Sequence, residues 1–142
     1  MKKNRLDLED YFDFDLIGIV SIVKEYKLVW HINAATNFQL IKKPDISIEF
    51  SGNNKISISN FECSEEHLLV TLLKNRLVAK PNMRFQFLVD ELKQFDYLLK
   101  CKDETEQTTA KDILSLLKST EVVEYAAILD PSTIKSRDNL IF

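Results

Sequence analysis

Ile46-Ser47-Ile48-Glu49-Phe50-Ser51, then Gly52-Asn53-Asn54, then Lys55-Ile56-Ser57-Ile58-Ser59 is the stretch that decides the fold. Ile46, Ile48 and Phe50 alternate with Ser47, Glu49 and Ser51, and Ile56 and Ile58 continue the alternation with Ser57 and Ser59. A period of two sends successive side chains to opposite faces of a strand. Gly52, Asn53 and Asn54 are residues that turn a hairpin. Strands joined so tightly run antiparallel.

The pattern extends to both sides. Upstream, Phe38 to Lys42 reads as a strand broken near Pro44. Downstream, His67 to Leu73 and Arg76 to Lys80 are rich in Leu and Val and flank Lys74 and Asn75, which predicts a second hairpin turning at those two residues. The middle third is therefore a β-meander.

Strand–helix–strand units lie on either side of it. Phe14 to Ile22 is a short apolar run rich in β-branched residues, with Gly18 marking a close backbone approach or a bulge. Lys24 to Thr36 has Tyr26, Val29, Trp30 and Asn33 at helical spacing, widened by Leu28 and Ile32, with Asn37 as a stop. At the other end, Gln94 to Lys102 alternates Phe95, Tyr97, Leu99 and Cys101 against Asp96, Leu98, Lys100 and Lys102. Asp103 to Thr108 is a polar loop. Thr109 and Asp112 then form a capping box ahead of the helical stripe Ala110, Ile113, Leu114 and Leu117. Val122 to Leu129 reads as a strand, and Asp130-Pro131 opens a short helical turn. The expected architecture is α+β: one mixed or mostly antiparallel sheet with both helices on one face. A ferredoxin-like core with an inserted hairpin is the specific topology expected. Residues 1–13 are read as a charged arm and 14–142 as one domain.

Bulk composition narrows the function. At 142 residues the chain can bury a core without a disulfide or metal staple. Its 19 basic and 22 acidic residues leave a net charge of -3, against the basic excess of a nucleic-acid binder. No apolar run is long enough for a membrane helix, and no signal peptide is legible, so a cytoplasmic protein is expected. Cys63 and Cys101 read as buried, reduced thiols rather than a bridge.

The segment Val89-Asp90-Glu91-Leu92-Lys93-Gln94-Phe95-Asp96-Tyr97 resembles the motif of the IPExxxVDY family of small uncharacterised bacterial proteins. Glu91, Asp96 and Tyr97 match the motif letters. Val89 and Phe95 replace its Ile and Val, and Asp90 departs from its Pro. Phe14 to Ile19, Tyr26 to Asn33, and the C-terminal Leu129-Asp130-Pro131, Ile134-Lys135-Ser136 and Asn139 to Phe142 also resemble that family. The resemblance implies one intact domain in a bacterial cytoplasm and implies no activity, substrate or cofactor.

Candidate chemistry is sparse. Glu91 and Asp96 form a conceivable acid–base pair, but five residues apart they converge only through a turn or bulge. The plainer reading puts Asp96 on the solvent face of its strand, Glu91 at a turn, and Tyr97 in the core with its hydroxyl on a backbone group. His31 has Ala34 and Ala35 on its helix face, which cannot ligate. Cys63, Glu66 and His67 fall short of zinc-ligand spacing, and His67 reads as a surface turn residue. Two glycines cannot build a phosphate loop. Asp7, Glu9, Asp10, Asp13 and Asp15 lack the glycine and terminal glutamate of a calcium loop. Lys74, Arg76, Lys80 and Arg84 with Phe85 and Phe87 read as a charged hairpin edge before a nucleic-acid surface. No cofactor and no metal are expected.

Two classes of function survive. The first is a non-enzymatic interaction or regulatory module that binds a protein partner or a second copy of itself. The second is a small-ligand binder or enzyme whose cleft draws on Asn33, Glu91, Asp96 and Tyr97. The absence of a catalytic constellation favours the first.

Overall fold

The computed structural model describes residues 14–49, 55–76, 87–105 and 109–134. The charged arm 1–13, the Gly52-Asn53-Asn54 turn, and Lys80, Arg84 and Phe85 lie outside them, as do Lys135 to Phe142. The elements are β1 (Asp15–Val20), α1 (Glu25–Ala35), β2 (Ile41–Glu49), β3 (Lys55–Glu65), β4 (Leu68–Lys74), β5 (Tyr97–Asp103), α2 (Ala110–Lys118) and β6 (Tyr125–Leu129). Short 3-10 turns sit at Asp90–Leu92 and Pro131–Thr133.

The strands form one sheet in the order β2-β3-β4-β5-β1-β6, and every neighbouring pair is antiparallel. Alternating direction makes β1 run with β2, and β5 with β6. Each helix thus joins two strands of like direction that are not neighbours. This is the split β-α-β plan of a ferredoxin-like core. The β3–β4 pair is inserted between β5 and β2, as the expected topology requires.

Both helices cover the same face. Leu28, Val29 and Ile32 of α1 and Ile113 and Leu117 of α2 pack on Ile17, Ile19, Val70, Leu72, Leu99 and their neighbours. The opposite face carries a smaller core of Leu16, Leu73 and Leu98, covered by Leu88, Val89, Leu92, Phe95 and Ile134. The segment that covers it is irregular rather than helical, so it must find its backbone hydrogen bonds elsewhere.

Local signals set several ends. Thr109 Oγ1 accepts from Asp112 N–H at 3.2 Å and Asp112 accepts from Thr109 N–H at 3.4 Å, completing the capping box. Asp130 accepts from Ser132 N–H at 3.0 Å, with Pro131 at the first position of the turn. The last strand starts at Tyr125 rather than Val122.

Four expectations are corrected. The second hairpin turns at Glu66 and His67, between paired Glu65 and Leu68, and not at Lys74-Asn75. Beyond β4, Asn75 is fully buried and Arg76 forms an isolated bridge with Phe87. β2 is not broken at Pro44: it runs through it with a register shift between Lys43 and Ile46. Proline is tolerated there because, among the described residues, β2 lies at the edge of the sheet, and Asn60 Nδ2 donates to the Pro44 carbonyl at 2.9 Å. The buried stripe of α1 is Leu28, Val29 and Ile32, while Tyr26 and Trp30 are each 66% exposed. Finally, β5 starts at Tyr97, and Phe95 turns to the face opposite Tyr97.

Cys63 and Cys101 are both buried and unlinked. Cys63 lies opposite Val70, and Val70 opposite Cys101, so two strand spacings part them. That is roughly 10 Å, beyond the ~7 Å between Cα atoms that a disulfide spans.

Candidate functional site

The motif-like segment is organised around Asn75. Its side-chain amide donates to the carbonyls of Leu92 at 2.9 Å and Phe95 at 3.0 Å. Its side-chain oxygen accepts from Val89 N–H at 2.8 Å. Its own backbone adds two more bonds, from Asn75 N–H to the Asp96 carbonyl at 2.9 Å and from Leu88 N–H to the Asn75 carbonyl at 2.7 Å. One asparagine therefore serves as the missing strand partner for residues 88–96, supplying groups that an irregular buried segment cannot find in itself.

From that anchor, Asp96 and Tyr97 reach the connection between β1 and α1. Asp96 is not on the solvent face: half-buried, its Oδ2 accepts from Ser21 N–H at 3.0 Å. The Tyr97 hydroxyl donates to the Val23 carbonyl at 2.7 Å, as the core reading of Tyr97 requires. Ser21 Oγ donates onward to the Val122 carbonyl at 2.7 Å, tying in the residues before β6. Burial, and then the carboxylates of Glu25 and Asp96, push the Tyr97 phenol up to about 12, so it keeps its proton at neutral pH. In this arrangement carboxylate and phenol hold backbone in place.

The other two candidates lie apart from this pair. Asn33 sits near the C-terminal end of α1, where its amide donates to the Leu40 carbonyl at 3.2 Å and its oxygen accepts from Leu40 N–H at 2.9 Å. It closes the loop into β2. Some eight residues of helix separate it from Glu25, roughly 12 Å along the axis. Glu91 is exposed on the 3-10 turn at Asp90–Leu92. The structure therefore brings Asp96 and Tyr97 together and leaves Asn33 at a different corner. Sequence reasoning missed Asn75 and Ser21. A detectable sign was an asparagine at the end of a Leu/Val-rich strand with no glycine beside it.

His67 lies in the β3–β4 turn, 3.8 Å from Glu66 and 3.6 Å from Glu104. With Glu65 and Lys102 it borders an open recess of about 230 Å³, smaller than the roughly 300–1,000 Å³ of ligand pockets. Among the described residues no three His, Cys, Asp or Glu side chains are grouped to hold a metal. Nor is any described helix long and apolar enough to cross a membrane.

No protein-family model, no curated protein and no solved structure matches this chain.

Proposed function

We propose that this protein is a non-enzymatic interaction module that offers the outer face of α1 to a protein partner. One observation carries the reading: Tyr26 and Trp30, four apart on α1, are each 66% exposed, and Ile22, in the connection that leads into the helix, is 86% exposed. About one helical turn thus presents a tyrosine and the chain's one tryptophan to solvent. Aromatic side chains of this kind dominate the energetics of protein interfaces. On this reading the segment resembling the IPExxxVDY motif is a folding element, since Asp96 and Tyr97 are bonded to backbone. Two buried, unlinked cysteines suit a reducing cytoplasm.

The test is affinity capture of the tagged full chain from host lysate beside the Trp30→Glu variant, with mass spectrometry of proteins and metabolites. A partner recovered in near-equal amount with the parent and lost from the variant supports the reading. A co-purifying metabolite that disappears with Asp96→Asn, with no protein partner, overturns it in favour of a ligand cleft at Asp96 and Tyr97.

A further inference from the structure

The two margins of the sheet are built differently. β2 carries Lys42, Lys43, Pro44 and Asp45, and its register shifts between Lys43 and Ile46. Charge, proline and bulges are devices that keep an edge strand from pairing with another chain. Within its five residues β6 has none of them, although Glu124 and Asp130-Pro131 flank it. It reads Tyr125-Ala126-Ala127-Ile128-Leu129 and pairs with β1 in unbroken register. Among the described residues, β6 has a strand neighbour on one side only.

That edge is self-complementary. An antiparallel pairing of β6 with its own copy, centred on Ala127, places Tyr125 opposite Leu129 and Ala126 opposite Ile128. The faces agree with the observed packing: Ala126 lies on the helical face, and Ala127 and Leu129 lie on the other. The five-residue ladder itself is uncharged, with Glu124 facing Asp130 of the other copy just beyond each end, and two alanines at the centre let the backbones approach. Tyr125 is 57% and Ile128 43% exposed, so both still have area to bury. Above the strand, α2 packs on β6 and β1. Leu114 faces the core, and Leu116, on the opposite flank of the buried stripe, is 40% exposed.

We propose that β6 is the seam of a homodimer in which two copies of this chain join edge to edge into one continuous antiparallel sheet. The seam draws on β6 and not on Tyr26 and Trp30 of α1. A ladder of five residues falls short of the roughly 1,200 Å² of a stable interface. The dimer is therefore a reversible one, with a dissociation constant on the order of micromolar.

Sedimentation equilibrium of the full chain tests this, alongside cysteine pairing with oxidised glutathione. In Ala127→Cys the new residue faces its own mate at about 5 Å between Cα atoms, within disulfide reach. In Tyr125→Cys the mates stand about 14 Å apart along the strands. The expected result is a reversible dimer, rapid covalent pairing of Ala127→Cys, and none of Tyr125→Cys. Ile128→Lys should weaken the dimer by about tenfold or more, with an unchanged melting curve. A chain that stays monomeric to about 0.5 mM, far above micromolar, overturns the proposal. So does equal pairing of both cysteine variants. A dimer lost in Trp30→Glu but kept in Ile128→Lys overturns it as well, because the copies would then meet through α1. A monomer that still captures a partner through Trp30 leaves the α1 reading standing alone.

Discussion

The ring of Phe95 lies where a Cβ on Gly18 would stand, its Cδ1, Cγ and Cε1 atoms 2.5, 2.6 and 2.7 Å from that position. Gly18 lies in β1 between β5 and β6, and Phe95 crosses over it from the segment anchored by Asn75. The ring also stacks on Tyr125, with centroids 6.2 Å apart. The glycine is thus a packing requirement, and Gly18→Ala should destabilise the fold by roughly 1–3 kcal/mol through overpacking. Urea denaturation measures it. In the Phe95→Leu background the same substitution should cost markedly less, and strict additivity of the two would contradict the contact.

Asn75→Ala leaves the Val89 N–H and the Leu92 and Phe95 carbonyls without their side-chain partner inside the protein. The expected loss is about 3–5 kcal/mol, with faster hydrogen exchange at the Val89 amide. Asn75→Asp should not restore stability, because a carboxylate cannot donate to two carbonyls. Rescue by aspartate would show that the donor bonds are unimportant.

Tyr97→Phe removes the bond to the Val23 carbonyl and should cost about 1 kcal/mol at neutral pH. The phenol also gives an alkaline signature. Its folded pKa is raised from 10.0 to about 12, mainly by burial. The unfolded chain therefore releases this proton first, and the contribution, full below pH 10, is lost as pH rises toward 12. Cys101, raised from 9.0 to about 12 by burial and then by Asp15, Asp103 and Cys63, acts in the same direction. Denaturation against pH in a Cys101→Ala background isolates the tyrosine. Tyr97→Phe should flatten the remaining decline there, and an unchanged slope would place the titrating group elsewhere.

On α1, Trp30→Ala should change stability by less than about 0.5 kcal/mol, whereas Ile32→Ala should cost roughly 2–5 kcal/mol. The contrast follows from 66% exposure at Trp30 against 0% at Ile32. Tryptophan emission should be strongly quenched by iodide in the native protein. A buried, unquenched tryptophan would reverse the assignment of the helix face.

What the sequence determined by itself was whatever depends on near neighbours. Period-two alternation at Ile46 to Ser59, the Thr109–Asp112 capping box and Asp130-Pro131 act over a few residues, so their physics is legible in order along the chain. Even the antiparallel α+β class follows from these, because short turns join adjacent strands. Pairings far apart in sequence were decided only by tertiary structure. An asparagine favours turns because its amide can replace a backbone partner, and the same amide at Asn75 replaces one for a segment 14 to 20 residues away. Nothing local distinguishes the two uses. The buried face of α1 departs from the expected stripe for a similar reason. Tyr26 and Trp30 share one helical stripe, while Leu28 and Ile32 share another, and only the sheet beneath selects which is buried. Asp96 and Tyr97 likewise acquired their partners at Ser21 and Val23 when β5 was laid beside β1. Long-range packing, which no window of sequence contains, set those contacts.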